Sequence, residues 1–164
     1  MARHPVVVGG NVEIVIQPVS ERSIDSLVAL IGELARFEHL DPPDEAAQAR
    51  LRADALRAAP PFEAYLALAD GEPVGCVTLI AAYSTFAARP KLYIEDLFVR
   101  DGHRGRGVGE RLFDFCVGLA RARGCARLEW NALRWNTAAH RFYERRKGRQ
   151  VDEWVWYELD PSAG

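Results

Sequence analysis

No apolar run in this 164-residue chain approaches the roughly 20 residues needed to cross a bilayer as a helix. The first residues also lack the long apolar stretch of a secretory leader, so a cytoplasmic protein with no membrane partner is expected. Cysteine is scarce: Cys76, Cys116 and Cys125 are an odd number, none in a Cys-x-x-Cys pair or at ligand spacing from a second metal-type residue. No structural metal and no acyl-cysteine intermediate are therefore expected, and Cys116 and Cys125 read as buried small hydrophobes. An excess of either charge is missing too, because 21 basic residues face 23 acidic ones for a formal net charge of −2. The basic residues are spread along the chain, which argues against nucleic acid as a bulk partner. There is no Gly/Ser-rich or Pro-rich linker and no repeat, and 49% of residues are hydrophobic. The expectation is one domain over residues 1–164, with 1–11 as a flexible N-terminal extension.

What is present is concentrated between Leu92 and Leu112. There the strand pattern Leu92-Tyr-Ile-Glu-Asp-Leu-Phe-Val99 leads through Arg104-Gly-Arg-Gly-Val-Gly109 into an amphipathic helix. Glycines allow close approach of the backbone to a ligand, and the N–H groups and dipole of the following helix attract phosphate oxygens. The loop is not a mononucleotide P-loop, since no Lys-Ser/Thr follows the glycines. Nor is it the dinucleotide fingerprint, because Glu110 stands where the third glycine belongs.

The rest of the chain alternates between the two periodicities. Val12–Gln17 reads as a strand, and Ser20 as the cap of a helix whose apolar positions are Ile24, Leu27, Val28, Ile31 and Leu34. Asp44 caps a second helix running to about Leu56, before Pro60-Pro61. Glu63–Leu68 and Val74–Ala82 form a hairpin across Asp70-Gly71. A helix follows from Val108 to Arg123 with Gly124 at its C-terminal cap, then a strand Cys125–Leu133, a helix from Asn136 to about Arg146 and a last strand Val151–Leu159. This order predicts an α+β layered fold, a mixed and mostly antiparallel sheet flanked by helices.

Three stretches, Glu33-Leu-Ala-Arg-Phe-Glu38, Leu92–Val99, and Trp135-Asn136 with Phe142-Tyr-Glu-Arg-Arg146, together with the Arg-Gly-x-Gly-x-Gly loop, carry a resemblance to a known superfamily. The chain resembles the GCN5-related N-acetyltransferases (GNAT), most closely their diamine (spermidine/spermine) and thialysine acetyltransferase branch. One departure is visible: that branch has Gly directly after its Phe-Tyr-x-Arg-Arg run, whereas here Lys147 precedes Gly148. The resemblance implies acetyl-CoA as co-substrate, no metal, a homodimer, and acetyl transfer to a small cationic amine such as a polyamine, a diamine or a lysine-like compound. A protein N-terminus or an amine xenobiotic stays open as acceptor, as does a non-catalytic module that senses acyl-CoA.

Acetyl transfer needs a neutral amine, while a free alkyl ammonium with a pKa near 10.4 is deprotonated in only about one molecule per thousand at neutral pH. By the resemblance, Glu95 is the general base and Tyr143 the acid that protonates the leaving thiolate. Charge in an otherwise apolar strand fits use or pairing, and an ion pair of Glu95 or Asp96 with Arg104 is the structural alternative. Backbone groups of Leu97, Phe98 and Val99, the segment Arg104, Gly105, Arg106, Gly107, Val108 and Gly109, and Asn136 are the implied coenzyme A contacts. Glu38, His39, Tyr83, Asp96 and Trp135 are the candidate acceptor contacts, acidic and aromatic groups that suit a cation.

Overall fold

A computed structural model describes residues 13–162, so the expected extension 1–11 lies outside the described residues. They fall into two compact units, one ending at Asn131 and one beginning at Ala132.

The first unit is built on a five-stranded sheet in the order β1 (Ile14–Pro18), β2 (Glu63–Ala69), β3 (Glu72–Ser84), β4 (Arg89–Val99), β5 (Leu128–Trp130). Neighbours are antiparallel except β4 and β5, which run parallel because α3 (Val108–Ala122) carries the chain back between them. Helices α1 (Ile24–Phe37) and α2 (Glu45–Ala55) lie between β1 and β2 in sequence. Strand alternation sends Leu66, Cys76 and Phe98, which are in register, to one face, where Ile24, Leu27, Leu30 and Leu34 of α1 complete a buried cluster. Their neighbours point the other way, and there Tyr65 meets Phe115 of α3 edge-on at 4.6 Å. The sheet is thus sandwiched between α1 and α3. Cys116 is a core side chain as expected, Cys125 is only partly buried, and Cys76 is also in the core; burial pushes the Cys76 and Cys116 thiols upward, Cys116 to about 12.

Two glycines are required by geometry. Asp70 and Gly71 form the two-residue turn of the β2–β3 hairpin with φ of 49° and 86°, a pair of positive values that a type I′ turn demands. At Gly75 a Cβ would sit 2.7 Å from the Phe98 carbonyl oxygen, so the close approach of β3 to β4 at the end of the strand admits no side chain.

Three expectations are corrected here. Ser20 does not cap α1: residues 20–23 make a turn closed by the Ser23 N–H on the Ser20 carbonyl at 2.9 Å, and Ser23 occupies the N-cap. The expected strand Cys125–Leu133 shrinks to Leu128–Trp130. Cys125 N–H is used to close α3 on the Ala120 carbonyl at 2.9 Å, and the Leu133 carbonyl accepts from Asn136 N–H. The last strand, Val151–Leu159, is not formed; its residues have strand alternation but extended chain becomes sheet only against a neighbour. Asp44, by contrast, caps α2 as expected, accepting from Ala47 N–H at 2.7 Å.

The second unit contains α4 (Thr137–Arg145), capped by the Asn136 side chain accepting from Ala139 N–H at 3.1 Å. Its end resolves the departure at Lys147. Lys147 takes φ of 63°, its N–H reaches the Glu144 carbonyl, and Gly148 N–H reaches the Tyr143 carbonyl at 2.8 Å. That is a Schellman closure with lysine in the left-handed position that glycine ordinarily fills. Among the described residues no helix is long and apolar enough to cross a membrane.

Candidate active site

The functional stretch of β4 is not a regular strand. Thr78 pairs with Asp96 and Leu79 with Ile94, so Glu95 is an extra residue with no partner on β3, a β-bulge. Bulges bend a strand and re-aim a side chain. Here the re-aimed side chain is the carboxylate singled out from the sequence. Next to it Asp96 is pinned: its Oδ2 accepts from Thr78 Oγ1 at 2.6 Å and its N–H donates back to the same oxygen at 3.1 Å. Thr78, 3% exposed, is the only buried polar or charged residue among those described. The bulge is therefore held by a reciprocal pair of hydrogen bonds on a buried hydroxyl.

Three carboxylates share this end of the unit. Burial raises the pKa of Asp96 against the lowering effect of the Thr78 hydrogen bond. Glu95 is raised first by burial and then by the negative charge of Asp96, and Glu38, the C-cap residue of α1, is raised by the same two causes in the same order. Tyr93, two residues before Glu95, is raised by burial and then by the charge of Glu95. The sequence reasoning passed over Thr78 and Tyr93. Tyr93 was in view as a neighbour of Glu95 on the same strand, but only strand register reveals Thr78.

After Val99 the chain enters a 3₁₀ turn, Asp101–His103, and then the glycine loop. Gly105 and Gly107 have φ of 69° and 84°, and a Cβ at either would meet nothing within 4 Å. Gly107 is the N-cap of α3, and no side chain caps it. The first N–H groups of a 15-residue helix therefore carry no side-chain cap beside two uncrowded glycines, an arrangement suited to an anion. Val108 is buried and anchors the first turn; Arg106 is exposed beside it.

Arg104 has a different job from Arg106. Its Nε donates to the Val99 carbonyl at 2.9 Å, one terminal nitrogen lies 3.3 Å from Asp101, and the guanidinium stacks 4.4 Å from the Phe37 ring centroid. It ties the loop to the end of β4 and to α1, and its ion pair is with Asp101. A parallel clamp forms one residue past β4: Arg100 grips Glu33 of α1 through Nε and a terminal nitrogen at 2.7–3.1 Å and donates to the Pro73 carbonyl at 2.7 Å.

The remaining sites separate as follows. His39 has φ of 61° and sits just after α1, where Leu40 N–H reaches the Ala35 carbonyl at 2.9 Å, so its backbone closes that helix while Glu38 joins the carboxylates. Tyr83 lies opposite Pro90, five residues along β3 from Thr78 and thus about 16 Å away at strand spacing. The structure does not gather it with Glu95. In the second unit, Trp135 is about half exposed, Asn136 caps α4, and Tyr143 lies on that helix with its ring edge-on to Phe142 at 5.2 Å.

A mixed sheet with a carboxylate on a bulged strand that feeds an uncapped, glycine-led helix sets an acidic group and an anion cradle at the end of one strand. The chain matches the Acetyltransferase (GNAT) family over residues 26–148 and belongs to it. The thialysine N-ε-acetyltransferase of Caenorhabditis elegans is 34% identical, covering 93% of this chain and 94% of that protein. The thialysine N-ε-acetyltransferase of Bos taurus is 30% identical, covering 92% and 94%. Among solved structures, an aminoglycoside N-acetyltransferase in complex with CoA superposes with a TM-score of 0.74 at 18% identity, covering 93% of this chain and 99% of that one, a likeness of fold. The protein is an amine N-acetyltransferase.

Proposed function

We propose that the protein transfers an acetyl group from acetyl-CoA to a primary amine of a small cationic acceptor, a polyamine, a diamine or a lysine-like compound, by direct attack within a ternary complex. The observation that carries this reading is the bulged Glu95, with the carboxylates of Glu38 and Asp96 in its electrostatic neighbourhood. Among the described residues no salt bridge joins any of these three acidic groups to a cation, which suits an ammonium ligand. The names of the two thialysine acetyltransferases point to the same class, an amine on a lysine-like chain.

The residues fit the co-substrate. The uncapped N-terminus of α3, the positive φ at Gly105 and Gly107 and the open space beside them suit a pyrophosphate held by backbone N–H groups, with Arg106 as the nearby cation. Backbone groups of Leu97, Phe98 and Val99 would hold the pantetheine arm, and Asn136 a further part of the molecule. The thioester supplies the activated acetyl group.

Glu95 takes the ammonium proton, directly or through one water. Its pKa, raised first by burial and then by the negative charge of Asp96, makes it a stronger base than an ordinary carboxylate. The amine then attacks the thioester carbonyl, the carbon–sulfur bond breaks, and Tyr143 donates its phenolic proton to the departing thiolate. Tyr93 and His39, in the same unit as Glu95, suit the acceptor side in this reading.

The experiment is thiol release from acetyl-CoA with spermidine, spermine, putrescine, lysine, thialysine and peptide amines, against a control without acceptor. Release dependent on one or more of the small cationic amines supports the proposal. Release with peptide amines alone, or with none of the panel while CoA still binds in calorimetry, overturns it.

A further inference from the structure

Glu95 and Asp96 are adjacent carboxylates that the fold treats differently. Glu95 is exposed on the bulge, and among the described residues its carboxylate makes no hydrogen bond or ion pair. Asp96 is half-buried and tied to Thr78. The Thr78 oxygen accepts from the Asp96 N–H at 3.1 Å, and its own proton is directed to Asp96 Oδ2 at 2.6 Å. That length lies in the range of about 2.5–2.7 Å for a hydroxyl donating to an ionised oxygen. If Oδ2 carried a proton instead, the buried Thr78 hydroxyl would be left without an acceptor.

The titratable groups facing Asp96 are Glu95 and Tyr93 on its own strand, Glu38 at the end of α1 and Cys76 on β3. Glu33 of α1 and Arg100 also reach Cys76, but they are committed to each other at 2.7 Å. Among the described residues no cation is paired with Asp96, and Thr78 is the side chain that bonds its carboxylate. The negative charge of Asp96 raises Glu95, Glu38 and Tyr93, whereas Asp96 itself is moved upward by burial and downward by the Thr78 bond. That is the pattern of two carboxylates that lose their protons in sequence, Asp96 first and Glu95 last.

We propose that Thr78 is a positioning residue for acetyl transfer: its hydroxyl commits Asp96 to the ionised form, and the charge so held keeps Glu95 the carboxylate that takes the acceptor's proton. Without the hydroxyl, Asp96 takes up a proton before Glu95 as pH falls. The field at Glu95 then disappears, and Glu95 becomes a weaker base. Thr78 is buried, so it acts only through Asp96. The inference rests on Glu95 being the base under the proposed function.

The first readout follows the carboxyl carbons of isotope-labelled aspartate and glutamate in the full chain by NMR across pH, with Asp96→Asn and Glu95→Gln assigning the signals. In the wild type Asp96 should lose its proton at lower pH than Glu95. Thr78→Val should raise the proton affinity of Asp96 roughly 10-fold or more, the scale of a lost hydrogen bond to a charged group, and merge or reverse the order. The second readout is kcat/KM against pH with an acceptor amine. Its rising limb should move toward acid in Thr78→Val as in Asp96→Asn, stay in place in Thr78→Ser, and move no further when Thr78→Val is added to Asp96→Asn. A merely structural role would lower the rates without moving the limb. Thr78→Ala removes the same hydroxyl and serves as the second variant if Thr78→Val fails to fold. An Asp96 signal that loss of the hydroxyl leaves in place, a limb that does not move, or a Thr78→Ser limb displaced like that of Thr78→Val would each overturn the proposal. A wild type that releases no thiol with any amine overturns the proposed function instead, while the NMR titration still reads the hold of Thr78 on Asp96.

Discussion

Replacing Thr78 by valine tests the account of the bulge most directly. The two side chains have nearly the same volume, and Thr78 is almost wholly inaccessible, so the change removes the hydroxyl and little else. With it go a 2.6 Å bond to the Asp96 carboxylate and a 3.1 Å bond from the Asp96 N–H. A hydrogen bond to a charged group contributes about 1.5–3 kcal/mol, and the stranded amide adds to that, so a loss of about 2–3 kcal/mol is expected. At about 2–4 °C per kcal/mol for a protein of this size, the melting temperature should fall by roughly 4–12 °C. The pH dependence has a definite sign. Burial raises the Asp96 pKa above its unfolded value, so the folded state binds the extra proton and stability falls as pH rises from 3.8 through the folded value. Thr78 limits that loss by favouring the carboxylate. Without it the Asp96 pKa rises further, and the deficit of the variant should be smallest in acid and largest at neutral pH. Thermal unfolding of the wild type and Thr78→Val at several pH values measures this, with Asp96→Asn as the second arm of a double-mutant cycle. A deficit that does not change with pH, or an equal cost of Thr78→Val in the Asp96→Asn background, would refute the reasoning.

Gly107→Val places a β-branched side chain at φ of 84° with no steric neighbour, so backbone strain of about 1–2 kcal/mol is the expected stability cost. CoA affinity in calorimetry should fall by far more than stability does. Tyr143→Phe should lower kcat at least 10-fold with CoA affinity unchanged, on the usual scale of a lost general acid; full turnover across the pH range would remove Tyr143 from that role. Lys147→Gly should raise stability by about 0.5–1 kcal/mol in chemical denaturation, because a left-handed position then carries no Cβ. The raised pKa of Glu95 places the rising limb of kcat/KM above the ordinary carboxylate range, and Asp96→Asn should move that limb toward acid, since it removes a neighbouring negative charge.

Much of the molecule is local in origin and was readable as such. Asp44 and Asn136 cap helices because a short acceptor side chain beside the first turn needs no distant partner. Asp70-Gly71 and Gly124 mark turns through their own backbone preferences, and the core face of α1 follows from helical spacing. Glu95 and the glycine loop were likewise visible as charge and flexibility in places that an apolar strand and a helix start do not otherwise supply. What the chain alone left open depends on which strands become neighbours. The bulge exists only in the offset between β3 and β4, and Thr78 becomes part of the site only because that register sets it against Asp96. The side chain of Arg104 is held by Phe37 and the Val99 carbonyl, partners that a linear reading could not place beside it. The last segment makes the same point from the other side: Val151–Leu159 has the alternation of a strand, yet alternation specifies only which faces a strand would have, and a strand forms when another backbone supplies its hydrogen bonds.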